Sequence, residues 1–148
     1  MDAETTLRIA NLSEKVIGIK EASGDLTQFA KIIKEAPEYF KVISGDDGFT
    51  LPSISIGSIG VISVLANALP EQVRQLTHAA LDGNMKTATQ LHLQLNEILK
   101  LLFKEGNPAG IKALMEIQGK LENQLRLPLV PVSNSTYQQL ENELKKIR

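Results

Sequence analysis

Three short runs of apolar residues, each followed by a polar turn, stand out in the first half of the chain. They cover residues 16–20, 40–44 and 60–64 and are rich in valine and isoleucine, which favours β-strands. Between them, residues 26–36 place apolar side chains at helical spacing, and residues 49–56 can form a short helix. Strands that alternate with helices are typical of a parallel sheet, so the pattern predicts an α/β structure.

The second half of the chain has a helical pattern. Pro70 suits the first turn of a helix and Gly83 its end, which predicts the helix that follows the third strand. Ser133 or Ser135 is expected to cap the last helix. The pattern divides the chain into a strand–helix region at residues 1–83 and a helical region at residues 84–148. The remaining helices are predicted at residues 2–12, 70–82, 84–105, 108–117 and 136–147, with an extended segment at 125–131.

Composition argues against several kinds of function. The 148 residues are 43% hydrophobic and 22% charged, with a net charge of −1, which is typical of a globular protein. The basic residues are spread along the chain, so neither nucleic acid nor a membrane is expected as a partner. There are no cysteines and two histidines, which argues against thiolate chemistry and a histidine-based metal site. We predict no cofactor and no metal, and a cytoplasmic location is the default expectation.

Lys20 stands at the end of the first predicted strand, where a charged side chain is unusual. Burial disfavours the ammonium form, so a lysine in a buried apolar strand can become a neutral amine that attacks a carbonyl carbon. In α/β barrels, the carboxyl ends of the strands carry the catalytic groups. The alternative is a strand-end lysine whose amine simply reaches solvent.

Asp46 and Asp47 form an adjacent pair of carboxylates after the second predicted strand. They could bind a metal ion, but no third ligand lies near them in the sequence. Roles in the turn and in helix capping are therefore favoured.

Five segments, in the same order along the chain, resemble the dihydrodipicolinate synthases, a family of Schiff-base pyruvate lyases and aldolases. The first contains Lys20 in the run Lys-Glu-Ala-Ser-Gly, the second contains Gly45 in a Ser-Gly-Asp-Asp turn, and the third contains Ile62. The lysine motif and this turn favour the synthases over the N-acetylneuraminate lyases, which tend to carry Phe-Thr after the lysine. The five segments are residues 16–25, 43–47, 60–67, 105–112 and 125–128.

The resemblance implies a (β/α)8 TIM barrel followed by a C-terminal helical bundle, and such barrels typically need ~250 residues. The chain would then supply the last three βα units as residues 1–83 and the bundle as residues 84–148. The first five strands would belong to a missing N-terminal half-barrel. The side chains expected to face the barrel interior are those of Val16, Ile19, Val42 and Val61.

The resemblance also implies an activity in lysine biosynthesis, the condensation of pyruvate with aspartate-4-semialdehyde through a Schiff base on Lys20. Gly45 and Ile62 match positions whose backbone lines the pyruvate site. The family's proton relay of two tyrosines and a threonine, and the arginine that binds the second substrate, would lie in the missing half. The chain alone is therefore expected to be inactive. Its expected partners are the two substrates, the missing half-barrel and further copies in a homo-oligomer.

Two other interpretations stay open. A sister pyruvate-dependent lyase or aldolase that acts on a sugar acid, such as an N-acetylneuraminate lyase, also needs a lysine at this strand end. Alternatively, the chain is a catalytically inert partial barrel that serves in assembly. Trapping of pyruvate on Lys20 would separate the two enzymes from the assembly module, and the second substrate would separate the enzymes from each other.

Overall fold

A computed structural model describes residues 1–147, in which a short parallel sheet and its helices precede a set of packed helices. The predicted helices and the first two predicted strands are confirmed, with their ends shifted by at most about two residues. Short 3₁₀ turns follow the sheet segments at Asp47–Phe49 and Leu65–Asn67. The elements are α1 (Ala3–Leu12), β1 (Gly18–Glu21), α2 (Leu26–Glu35), β2 (Lys41–Ser44), α3 (Thr50–Ser55), α4 (Pro70–Leu81), α5 (Met85–Phe103), α6 (Ala109–Ile117) and α7 (Asn134–Ile147).

The prediction of a third full strand is wrong. β1 and β2 form a parallel two-stranded sheet. Residues 60–64 add one parallel bridge to it within the described chain, between Val61 and Ser44. The N–H of Ile62 still donates to Ser44 O at 2.8 Å. The chain then leaves the sheet, because two N–H groups that follow donate to the carboxylate of Asp47 instead of to a strand.

The two faces of the sheet have different surroundings. Ile19 lies opposite Val42 in the strand register, and Lys20 lies opposite Ile43. Paired residues share a face, and neighbouring residues along a strand alternate. Val42 is buried against α1 and α2, and Ile19 packs against the same core. Lys20 and Ile43 therefore lie on the opposite face.

The expectation that Val16, Ile19, Val42 and Val61 face a barrel interior is wrong for all four. Val16 packs against the same helix-side core as Ile19 and Val42. Val61 lies opposite the fully buried Ser44 and packs against the core of the helical region. Both faces of these segments carry apolar residues, so the sequence pattern did not reveal which alternate set the helices cover.

Two hydrophobic cores divide the described chain near residue 50. The smaller core lies between the sheet, α1 and α2, and the larger one joins α3 and α4 to α5, α6 and α7. Because α3 and α4 share the larger core with the helical region, the division into residues 1–83 and 84–148 stays a prediction. The fully buried side chains of the larger core include Leu95, Ile98, Leu102, Leu114 and Leu140.

One close helix contact and one helix cap add to the packing of the helical region. A Cβ atom at Gly110 would lie 2.0 Å from Leu102 O, so a glycine is required where α6 crosses α5. Ser133 caps α7 by accepting a hydrogen bond from Thr136 N at 3.3 Å, which decides between the two predicted capping serines. Ser133 also donates from N and Oγ to the two carboxylate oxygens of Glu105, at 2.8 and 2.7 Å.

Candidate active site

Lys20 lies one residue before the end of β1, on the face of the sheet opposite α1 and α2. Its side chain is exposed to solvent, so the expectation of a buried lysine is wrong for this chain. The physical reason is the placement of the helices, which cover Ile19 and Val42 on the other face. The Lys20 amine is therefore accessible from the open side of the sheet.

Gly45 follows β2 directly and lies against the side chain of Lys20. A Cβ atom at Gly45 would be 2.8 Å from Lys20 Cε and 2.8 Å from Ala22 Cβ, distances that real Cβ atoms do not show. Gly45 N donates to Glu21 O at 2.7 Å and continues the pairing of the strands. The missing side chain at position 45 thus provides the space that the lysine occupies.

Ile62 follows the single bridge of the third sheet segment, and its side chain is 48% exposed. Its N–H donates to Ser44 O at 2.8 Å, which places it beside the end of β2. Lys20, Gly45 and Ile62 therefore lie at the carboxyl ends of three neighbouring parallel segments. This shared end of the sheet was predicted from the sequence and is observed, while the roles of the three residues stay predictions.

Asp46 and Asp47 are both used in turns, as the sequence analysis favoured. Asp46 accepts a hydrogen bond from Gly48 N at 2.8 Å and so caps the 3₁₀ turn. Asp47 is 3% exposed and accepts hydrogen bonds from the Ser63 hydroxyl, from Val64 N at 2.8 Å and from a further backbone N–H. The link from Asp47 to the third segment was not predicted, because the two parts are distant in sequence.

Glu21 is a second buried carboxylate that the sequence analysis missed. It is 3% exposed, follows Lys20 directly and points to the helix side of the sheet. Its oxygens accept hydrogen bonds from Ser23 N at 2.7 Å and from Gln28 Nε2 at 2.9 Å. Glu21 thereby shapes the turn that follows the lysine. A glutamate directly after an apolar strand was the signal in the sequence that could have predicted a buried, hydrogen-bonded carboxylate.

The marked pKa shifts belong to the helical part of the chain. Hydrogen bonds from Thr136 and Ser133 lower the pKa of Glu105 to about 2. Hydrogen bonds from Arg74 and Gln75 lower the pKa of Glu71 to about 2. Partial burial lowers the pKa of His92. These groups lie on or beside α4, α5 and α7, away from Lys20, so they do not bear on the chemistry there.

Two kinds of site find no support in residues 1–147. Within this range, no group of three or more histidine, aspartate or glutamate side chains has an arrangement that could hold a metal ion. The helices of the same residues include none with both the length and the apolar stretch required to cross a bilayer.

The strand–helix units define an α/β protein. Its candidate site, with one lysine and two turn residues, lies at the carboxyl end of the parallel sheet. A family model described as the dihydrodipicolinate synthetase family matches residues 1–147. The chain belongs to this family.

Curated relatives and solved structures agree with the family. The chain is 49% identical over 148 residues to 4-hydroxy-tetrahydrodipicolinate synthase of Phocaeicola vulgatus, covering 98% of this chain and 50% of that protein. It is 47% identical over 147 residues to the same enzyme of Parabacteroides distasonis, covering 99% of this chain and 50% of that protein. The chain thus spans about half the length of the curated relatives it matches.

The structural similarity is close over nearly the whole chain. The crystal structure of dihydrodipicolinate synthase from Aquifex aeolicus has a TM-score of 0.95 at 36% identity, covering 99% of this chain and 50% of that one. A structure described as a monomeric dihydrodipicolinate synthase variant has a TM-score of 0.94 at 39% identity, covering 98% of this chain and 49% of that one.

Proposed function

We propose that this chain forms the C-terminal half of a Schiff-base synthase that condenses pyruvate with aspartate-4-semialdehyde in lysine biosynthesis. The observation that carries the proposal is the placement of Lys20. It lies at the carboxyl end of a parallel strand, accessible from one side, and Gly45 leaves room for its side chain. Membership of the synthase family and the names of the curated relatives support the choice of reaction.

The proposed chemistry begins when the neutral amine of Lys20 attacks the ketone carbon of pyruvate. A water molecule leaves and an imine forms; once protonated, the imine withdraws electrons from the methyl carbon. A methyl proton is then lost, and the resulting enamine attacks the aldehyde carbon of the second substrate. Cyclisation of the product releases the lysine. The backbone groups at Gly45 and Ile62 are proposed to line the pyruvate site.

The proposed partner is the other half of the barrel. Within the described residues β1 pairs with β2, and its second edge has no strand beside it. The large apolar side chains of Ile17, Ile59 and Ile62 are 71%, 46% and 48% exposed. Strands and helices that complete a barrel would pair with the open edge and cover such surface. They would also remove water from around the Lys20 amine, which favours its uncharged, nucleophilic form.

The complete protein is proposed to have further properties that follow from the family resemblance. The three βα units of residues 1–83 would continue a TIM barrel, with residues 84–148 as its helical bundle. The proton relay and the arginine for the second substrate would come from the other half, so this chain alone would be inactive. A homo-oligomer is proposed. The proposed location is cytoplasmic.

The test is borohydride trapping with pyruvate in a complete barrel that carries this chain as its C-terminal half, referred to below as the complete barrel. Borohydride reduces the imine to a stable amine, so the adduct should appear on Lys20 alone by peptide mass analysis. Lys20→Ala should abolish both the adduct and turnover. Lys41→Ala is the matched control, because Lys41 is exposed on the same face of the sheet, and it should keep the adduct.

Three outcomes would contradict the proposal. Full turnover in the Lys20→Ala barrel would exclude a Schiff-base role for this lysine. If the adduct forms and the barrel turns over a sugar acid but does not condense pyruvate with aspartate-4-semialdehyde, the result would favour the sister lyase. Absence of any adduct on the wild-type barrel would favour an inert assembly module.

A further inference from the structure

Asp47 is a buried carboxylate whose hydrogen bonds connect two neighbouring segments at the carboxyl end of the sheet. One oxygen accepts from the Ser63 hydroxyl, and the other accepts from Val64 N at 2.8 Å and from Leu65 N at 3.2 Å. The side chain is 3% exposed. Burying a carboxylate costs the free energy of its hydration, and hydrogen bonds from hydroxyl and backbone N–H donors offset that cost. The turn after β2 is thereby joined to a segment 16 to 18 residues further along the chain.

These hydrogen bonds begin where the pairing of the third segment with β2 ends. Backbone hydrogen bonds connect the two from Ile59 N to Val42 O at 2.9 Å through Ile62 N to Ser44 O at 2.8 Å. The next residue, Ser63, is the first that contacts Asp47. Asp47 therefore extends with a side chain the attachment that the backbone makes up to Ile62.

The position of Asp47 also relates it to Lys20. Asp47 lies two residues after Gly45, whose missing Cβ accommodates the Lys20 side chain. On the other segment, its contacts start one residue after Ile62. One carboxylate thus connects the two stretches of backbone that are proposed to line the pyruvate site. Without it, residues 63–65 would lose this attachment, and Ile62 would keep the hydrogen bond from its N–H to Ser44 O as its one link to β2 on that side.

We infer that Asp47 is a positioning residue for the Schiff-base site, which it serves by holding the backbone at Ile62 in place beside Gly45 and Lys20. The inference rests on the proposed function of Lys20. The hydrogen bonds of the Asp47 carboxylate go to Ser63, Val64 and Leu65, not to the Lys20 amine. Its effect should therefore appear in how well pyruvate binds, more than in the ability of Lys20 to form an imine.

The test compares Asp47→Ala, Asp47→Asn and Asp46→Asn in the complete barrel. Alanine leaves two buried N–H groups without an acceptor. Asparagine can still accept from both with its oxygen, while its NH₂ group donates to the Ser63 hydroxyl. Asp46→Asn removes the neighbouring charge but keeps an oxygen for Gly48 N. The measurements are KM for pyruvate, kcat, and the fraction of Lys20 trapped by borohydride at saturating pyruvate.

The expected result is an increase in KM for pyruvate of about 10- to 100-fold in Asp47→Ala, because a displacement of about 1 Å can have this effect. Asp47→Asn should stay within about fivefold of the wild type and Asp46→Asn within about twofold. The trapped fraction at saturation should be unchanged in all three. A purely structural role would instead reduce the amount of active protein at constant KM.

If Asp47→Ala does not fold, Ser63→Ala replaces it, since it removes one donor of the same cluster, and KM should rise about 3- to 10-fold. An unchanged KM in a folded barrel that forms the Lys20 adduct would overturn this inference alone. An increase in Asp46→Asn as large as in Asp47→Ala would also overturn it, because charge and not attachment would then be responsible. A wild-type barrel without the adduct would instead overturn the proposed function, and this inference with it.

Discussion

The sheet end and the helical region of this chain differ in how much of their own packing they contain. Leu95, Ile98, Leu102 and Leu140 are 0 or 1% exposed in the helical core. In the sheet, Ile17 before β1 and Ile62 beside the end of β2 are 71% and 48% exposed, and the third segment makes one bridge within the described residues. Helices α3 to α7 close one large core, and exposed apolar side chains such as Leu93 lie on their surface as well. The sheet differs in its open strand edge.

Because of this difference, the residues that stabilise the fold and the residues of the candidate site lie in different regions of the chain. The candidate site, with Lys20, Gly45 and Ile62, lies in the part of the chain that has an open strand edge within the described residues. The contacts that bury the most apolar surface lie elsewhere, among α3 to α7. Substitutions in the two regions should therefore affect different measured quantities.

Lys20→Arg should abolish turnover of the complete barrel while leaving its stability almost unchanged. The guanidinium stays protonated and cannot attack a ketone. Arginine keeps the positive charge and the length of the side chain, so the free energy of unfolding should change by no more than about 1 kcal/mol. A coupled turnover assay and urea unfolding measure the two effects, with Lys41→Arg as the control. Retained turnover, or a large loss of stability, would contradict the view that Lys20 serves catalysis and not stability.

The isolated 148 residues should associate with copies of themselves and should show no synthase activity. Open strand edges and exposed apolar side chains favour association. Light scattering measures the association, and hydrogen exchange compares the regions: amides of β1 should exchange faster than those of α5, whose core is complete. A stable monomer with a protected β1 would contradict the comparison, and so would measurable turnover.

Leu102→Ala should lower the free energy of unfolding of the complete barrel by about 2–5 kcal/mol, because Leu102 is 0% exposed and its loss leaves a cavity. Leu93→Ala on the same helix is the control: Leu93 is 65% exposed, so its effect should stay within about 0.5 kcal/mol. Turnover per folded molecule should be unchanged in both. A selective loss of turnover in Leu102→Ala would show that the helical core acts on the site.

Ser133→Ala should reduce the loss of stability in acid. The pKa of Glu105 is about 2 in the folded protein, below its ordinary value of 4.5, so the unfolded chain takes up the proton first. The stabilisation is therefore present above about pH 4.5 and is lost as the pH falls toward about 2. The substitution removes the Ser133 hydroxyl donor and keeps the backbone N–H donor, so it should flatten this dependence in part, as measured by urea unfolding between pH 5 and 3.

Ser135→Ala is the control for this smallest effect, because Ser133 and not Ser135 is the serine that donates to Glu105. Its unfolding should keep the acid dependence of the wild type. An equal change in both serine variants would mean that the N-terminus of α7, and not the Glu105 contact, causes the effect.

The helix starts and the first two strands could be read from the sequence, because their signals are local. Asp2 and Asp25 cap their helices through N–H groups two or three residues away, and Pro70 begins α4 as its fixed backbone angle predicts. The third strand was predicted too long, because Asp47, far away in sequence, takes the N–H groups that would have continued the pairing. Apolar residues in residues 60–64 gave no sign of this competition.

The sequence alone determined the order of the elements, the family resemblance and the presence of Lys20, Gly45 and Ile62 at three segment ends. These follow from residue types and short-range spacing. The tertiary structure decided which face of the sheet the helices cover, that Lys20 is exposed in this chain, and that Gly45 leaves space for it. It also joined Asp47 to Ser63. Such features depend on contacts between residues far apart in the chain, and an alternating pattern of apolar residues on both faces does not specify them.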